Sequence, residues 1–157
     1  MKPLTFAVAA MLLAGAAQAA LPPADFVKKA GASDLYEISA SKLETSSKNA
    51  KIRAFASIMI KDHTTSTAAV KAAAVKSGLK PTPPALEAKQ AADLAALKQA
   101  SGAARDTLYI AQQKAAHEEA LALHKDNAAG SSAPALKAAS AKIVPVVEHH
   151  LHDLAGL

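Results

Sequence analysis

Residues 52–70 read IRAFASIMIKDHTTSTAAV, and their spacing decides the fold. Ile52, Phe55, Met59, His63, Ser66 and Val70 recur at intervals of three, four, four, three and four. That spacing sets all six on one face of an α-helix. His63 thus stands in the middle of an otherwise core-facing seam. Before this segment lies a polar joint at Ser47 to Asn49. After it come Gly78, a natural residue to follow a helix, and Pro81, Pro83 and Pro84, which forbid its continuation.

Working outward, glycine and proline divide the rest of the chain in the same way. A helix is expected from about Pro23 to Ser46, entered through Pro22 and Pro23, where a missing N–H costs least. The central helix ends near Ser77. A shorter helix covers Ala85 to Ala100 and stops at Gly102. A fourth spans about Ala103 to Ala128 with Gly130 as its stop, and a fifth runs from Pro134 to Leu154 with a kink expected at Pro145. Hydrophobic residues make up 51% of the chain, but alanine dominates that figure, and alanine is the best helix former. Short loops make helices one and two antiparallel, and likewise four and five. The proline-rich segment and short helix then form the crossover. The predicted class is all-α, a ferritin-like four-helix bundle with a short extra helix in the long crossover.

The N-terminus reads as a signal peptide over residues 1–19. Lys2 is the positive start, Leu4 to Ala16 are apolar, and Ala17-Gln18-Ala19 gives the small-x-small cleavage pattern. Cleavage before Ala20 leaves one domain, residues 20–157, in the periplasm or cell envelope, with no integral span after cleavage. The formal net charge is +5. Its lysines are scattered along helical surfaces, and only Tyr36 and Tyr109 could offer polar stacking, so nucleic acid is not an expected partner. An envelope component or another protein could be one. The chain has no cysteine, which excludes disulfides, thiol redox chemistry and thiolate metal sites.

The other buried stripes also carry ionisable groups. Helix five presents Leu136, Ser140, Ile143, Val147, His150 and Leu154 on one face; helix four presents Ile110, Gln113, His117 and Leu121; helix one presents Phe26, Ala30, Glu37 and Ala40. Counted from the loops, Glu37 and His63 differ in depth by about 6 Å, and His117 and His150 by about 7.5 Å. Glu37, His63, His117 and His150 therefore form a candidate metal site. Burying four titratable groups without a partner costs several kcal/mol, and a cation satisfies them together. One oxygen and three imidazoles suit one Zn, Fe, Cu or Ni ion rather than Ca or Mg. The competing reading is a polar network of the four groups in a structural or interaction module. Glu148, His149, His152 and Asp153 line one helical face near the C-terminus and form a second, weaker candidate, equally readable as a solvated helix end. His124 either extends the interior polar seam or reaches solvent. Asp62, next to His63, is expected at the surface. No serine heads a nucleophile elbow and no glycine-rich phosphate loop occurs, so the residues do not point to an enzyme.

Asp25-Phe26-Val27, Leu35-Tyr36-Glu37-Ile38, Ala54-Phe55-Ala56, Met59, Asp62-His63-Thr64, Asp106, Tyr109, His117, Pro145 and His150-Leu151 fall in an order that resembles the bacterial exported proteins grouped as domain of unknown function 4142. The resemblance covers about Ala24 to Leu154. It implies a ferritin-like fold and a secreted or outer-membrane setting, and it carries over Glu37, His63, His117 and His150. It implies no activity. The Glu-x-x-His pairs of di-iron bundles are missing, since Ile60 and Lys114 stand where those glutamates would be. Arg105-Asp106 replaces the family's common Phe-Asp, a change expected to affect packing.

Overall fold

The computed structural model describes residues 20–157, and among them it contains five helices and no strand. The expected signal peptide lies outside the described residues. The helices are α1 (Pro23–Glu44), α2 (Ala50–Lys76), α3 (Ala88–Gln99), α4 (Gly102–Gly130) and α5 (Pro134–Leu154). α2 starts where the Asn49 side chain accepts the Lys51 N–H at 3.0 Å. It ends in a Schellman motif: Leu79 N–H bonds the Ala74 carbonyl and Gly78 N–H that of Val75. Gly78 adopts φ 77°, which a side chain would resist.

Some expected boundaries need correction, and α1 ends at Glu44 rather than Ser46. α3 starts at Ala88, because Glu87 and Gln90 form a reciprocal capping box that fixes its first turn. Gly102 opens α4 instead of closing α3, and Gly130 is the last residue of α4. α5 has the bounds its sequence sets, Pro134–Leu154, with Pro145 inside it.

α1 packs on α2 and α4, and α5 packs on the same two helices, so the long helices close a ring; α3 lies against α1 and α4. Cross-helix pairs give the directions. Glu37 meets His63 while Asp34 meets Thr67, so α1 and α2 run antiparallel. Glu44 meets Arg105 and Ser41 meets Tyr109, so α1 and α4 are antiparallel too. His117 meets His150 and Asn127 meets Leu136, so α4 and α5 are antiparallel. α2 and α4 therefore point the same way. Their connection, residues 77–101, must travel the length of the bundle, and α3 supplies about 18 Å of that distance.

The core has two apolar zones. One gathers Phe26, Ala30, Val70, Ala74, Leu136 and Val147. The other gathers Tyr36, Ile52, Phe55, Met59, Leu97 and Tyr109. Every residue of the expected α2 and α5 stripes is buried. In α4 the buried stripe is Tyr109, Gln113, His117, Ala120, His124 and Asn127. Gln113 and His117 lie inside as expected, while Tyr109 and Ala120 take the inward places expected of Ile110 and Leu121, which flank the stripe. Arg105 pairs with the fully buried Glu44 at 3.0 Å, so the departure at this position joins α1 to α4. Phe26 is fully buried. Phe26→Ala should destabilise the protein by about 3–5 kcal/mol through lost burial and a residual cavity, read as a lower urea midpoint; an unchanged midpoint would mean that this zone does not hold the bundle together.

Candidate metal centre

Between the two apolar zones each long helix contributes to one polar layer. α1 supplies Asp34 and Glu37, which sit three apart on one face. α2 supplies His63 and Asp62, α4 supplies His117 and α5 supplies His150. Asp34, Glu37, His63, His117 and His150 are all buried, so none can rely on water to satisfy its polar atoms.

The outward nitrogens of the three histidines are all engaged. His63 Nδ1 lies 2.8 Å from Asp34 Oδ1 and 2.9 Å from Glu37 Oε2. Asp34 is steadied in turn by Thr67, whose hydroxyl donates to Oδ2 at 2.8 Å. His117 Nδ1 lies 2.8 Å from the Gln113 carbonyl oxygen and 3.3 Å from Glu37 Oε1. His150 Nε2 lies 3.2 Å from Asp62 Oδ2. Each partner is an acceptor, so each of these nitrogens carries the proton. The remaining nitrogens point inward as lone pairs when the rings are neutral. His117 Nε2 and His150 Nδ1 face each other at 3.3 Å, and His63 Nε2 is buried with no hydrogen-bond partner. The three ring centroids stand 5.3 to 5.4 Å apart. His63, His117 and His150 can each offer a nitrogen within 4.8 Å of the others, as can His63 with one oxygen each from Asp34 and Glu37.

The electrostatics follow from who faces whom. Burial disfavours a charged His63, but the charge of Glu37 and the hydrogen bonds to Asp34 and Glu37 outweigh it and hold its pKa up at about 10. Burial pushes His117 down to about 4 against the pull of Glu37. His150 is lowered by burial and by the charge of His63, with Asp62 opposing. Burial would raise Glu37, but the neighbouring imidazoles, His63 first, keep it below the usual carboxylate range. Asp34 faces fewer imidazoles, and burial leaves its carboxyl raised.

The family model described as Domain of unknown function (DUF4142) matches residues 9–157. The chain belongs to that family. No curated protein and no solved structure matches it significantly. In this DUF4142 chain, then, the site must be read from its own residues.

All four residues of the main candidate, Glu37, His63, His117 and His150, come together. Glu37 occupies a particular place among them. Its two oxygens lie behind His63 and His117, on their protonated Nδ1 side, where a carboxylate orients imidazoles and raises their basicity. The second candidate stays at the surface: Glu148 pairs with Lys125 at 2.7 Å, and His149 Nε2 lies 3.5 Å from Asp153 Oδ2, while His152 is exposed. His124 extends the interior seam, its Nδ1 lying 3.1 Å from the Ser140 hydroxyl, to which Asn127 also donates.

Sequence reasoning missed two members. Asp34 continues the Phe26–Ala30 stripe by four and precedes Glu37 by three, a spacing that could have revealed it. Asp62 was expected at the surface. It is only 30% exposed and bonds His150 of α5, because a residue adjacent to His63 on α2 turns about 100° away and meets the next helix of the ring. No pattern within α2 could have named that partner.

Proposed function

We propose that this protein is an exported helical bundle that holds one divalent transition-metal ion in its core and serves metal handling or stress protection in the cell envelope. The observation that carries the reading is the facing pair His117 Nε2 and His150 Nδ1, 3.3 Å apart in a buried layer and both acceptors once the outward nitrogens hold the protons, together with a His63 Nε2 that is buried without a partner. Two buried acceptors opposed at that distance need a proton or a cation between them. Three imidazole ligands suit Zn, Fe, Cu or Ni. Asp34 and Glu37 behind the rings supply two negative charges, which a divalent ion balances and which hold the ring orientations. The signal-peptide pattern of residues 1–19 supports export to the periplasm. The finer fold reading is the ferritin-like four-helix bundle with one short helix in the crossover. It is supported by the antiparallel ring and the long connection between the parallel α2 and α4.

Elemental analysis of untagged protein tests this directly. The expected result is one Zn, Fe, Cu or Ni ion per chain, and a melting temperature about 10 °C lower in chelator, since an ion at 100 times its dissociation constant adds about 2.7 kcal/mol. Protein without metal and with the same melt in excess Zn2+ would overturn it. That outcome would favour a second reading, a structural or interaction module of the envelope. The completed ion pairs of His63 with Asp34 and Glu37 already support that reading.

A further inference from the structure

A cleft of about 710 Å³ lies between α1, α2 and the segment that leaves α2. Its volume is in the range that small organic ligands occupy. Val27, Val70, Leu79, Pro81, Pro83 and Pro84 give it apolar walls. The segment that roofs it is held at both ends, Leu79 packing on one apolar zone of the core and Leu86 on the other. In between, it presses on α1 so closely that a Cβ added at Gly31 would come within 3.2 Å of the Pro84 Cβ. Three prolines in four residues restrict its backbone further. The cleft is therefore formed in advance, without a cost of ordering on binding.

The charges of the cleft select what could enter. Lys28, Lys71 and Lys80 line it, all exposed, and none forms an ion pair among the described residues. Of its two carboxylates, Asp34 already accepts hydrogen bonds from His63 and Thr67. Asp25, which is exposed, is the other. Three ammonium groups around an apolar hollow make this a poor route for a cation toward the histidines. They suit the opposite charge.

We propose that this cleft binds a small amphipathic organic anion, a carboxylate carried on an aliphatic body. The hydrocarbon would lie against Val27, Val70 and Leu79, and the head group would meet the lysines at the rim. The cleft shares Asp34 and Thr67 with the polar layer, but the inference needs no metal, and its test is run in chelator so that the two cannot be confused.

The probe is monomeric decanoate, titrated calorimetrically into the purified protein, with decylammonium as the charge-reversed control. Saturable binding of one decanoate per chain is expected, with decylammonium binding at least tenfold more weakly. Combining Lys28→Gln, Lys71→Gln and Lys80→Gln changes only exposed side chains, so folding should persist. This variant should weaken decanoate about tenfold and leave the melting temperature within 2 °C, in line with the small effects of surface substitutions. Val27→Trp, which fills the hollow from a half-buried position, should abolish binding. The proposal is overturned by equal affinity for the two probes, by decanoate binding that survives the lysine substitutions, or by capture on phosphatidylglycerol vesicles with no binding of monomeric decanoate.

Discussion

His63→Ala is expected to abolish metal binding and to lower the stability of the metal-free protein by about 3–5 kcal/mol, the usual cost of removing one partner from a buried ion pair. Asp34 and Glu37 would be left facing each other's charge with no cation between them. For a domain of this size the melting temperature should fall by about 10–20 °C. Two comparisons separate the causes. His63→Gln keeps a donor for one carboxylate but has no inward imidazole nitrogen, so it should melt closer to the parent and still bind no metal. Adding Glu37→Gln to His63→Ala should recover part of the lost stability, because a neutral amide needs no counter-charge. His149→Ala, at an exposed position, should change neither property beyond about 0.5 kcal/mol. If His63→Ala melted within 2 °C of the parent, the polar layer would not be the coupled network that its distances describe.

The metal-free protein should also be most stable near pH 6.5, losing stability in both directions. On the alkaline side the relevant group is His63, faced by Asp34 and Glu37 from α1, His117 from α4 and His150 from α5. Its folded pKa is raised from 6.5 to about 10. The stabilisation is complete below 6.5 and is lost as pH rises through 10, since the unfolded chain gives up a proton that the folded one keeps. On the acid side, His117 and His124 have folded pKa values lowered from 6.5 to about 4. Between those values the unfolded chain takes up protons that the folded protein excludes, so stability falls as pH drops. The lowered Glu37 adds to the acid loss, because its stabilisation is present above its unfolded pKa and disappears as it protonates. Urea midpoints measured from pH 4 to 10 in chelator should trace this dome. A midpoint that rises steadily from pH 6.5 to 9 would rule out an imidazolium at His63. In His63→Gln the alkaline limb should flatten while the acid limb remains.

The helices with a single unambiguous stripe were legible in the sequence. In α2 and α5, every residue placed inward by its spacing is buried, because one apolar face of sufficient width can pack only one way. In α4, Gln113 and His117 face inward as their spacing requires, but Ile110 and Leu121 do not. Alanine dominates its surface, and the hydrophobicity of Ile110 and Leu121 drew the ends of the face away from Tyr109 and Ala120. Depth counting left Glu37 and His63 about 6 Å apart along the axis and His117 and His150 about 7.5 Å, within side-chain reach, and the structure brings the four together. It had no means of telling a group that faces the centre from one that stands behind it. Asp34 was within reach of the same spacing argument but was passed over, since an aspartate on an apolar stripe looks like its interruption.

By itself, the sequence determined the all-helical class and the number of helices. It also determined which helix carries each histidine, because propensity, caps and periodicity act within a single segment. Tertiary structure alone decided the chemistry of the layer. Which nitrogen of each imidazole turns outward depends on acceptors from other segments: Asp34 and Glu37 across the α1–α2 contact, and Asp62 across the α2–α5 contact. Only Gln113 is local to its histidine. Those partners are 26 to 88 residues distant along the chain and about 3 Å distant in space. A buried ring must satisfy its donor somewhere, so the packing of four helices, and not the pattern of any one, brings one nitrogen of each of the three imidazoles within 4.8 Å of the others.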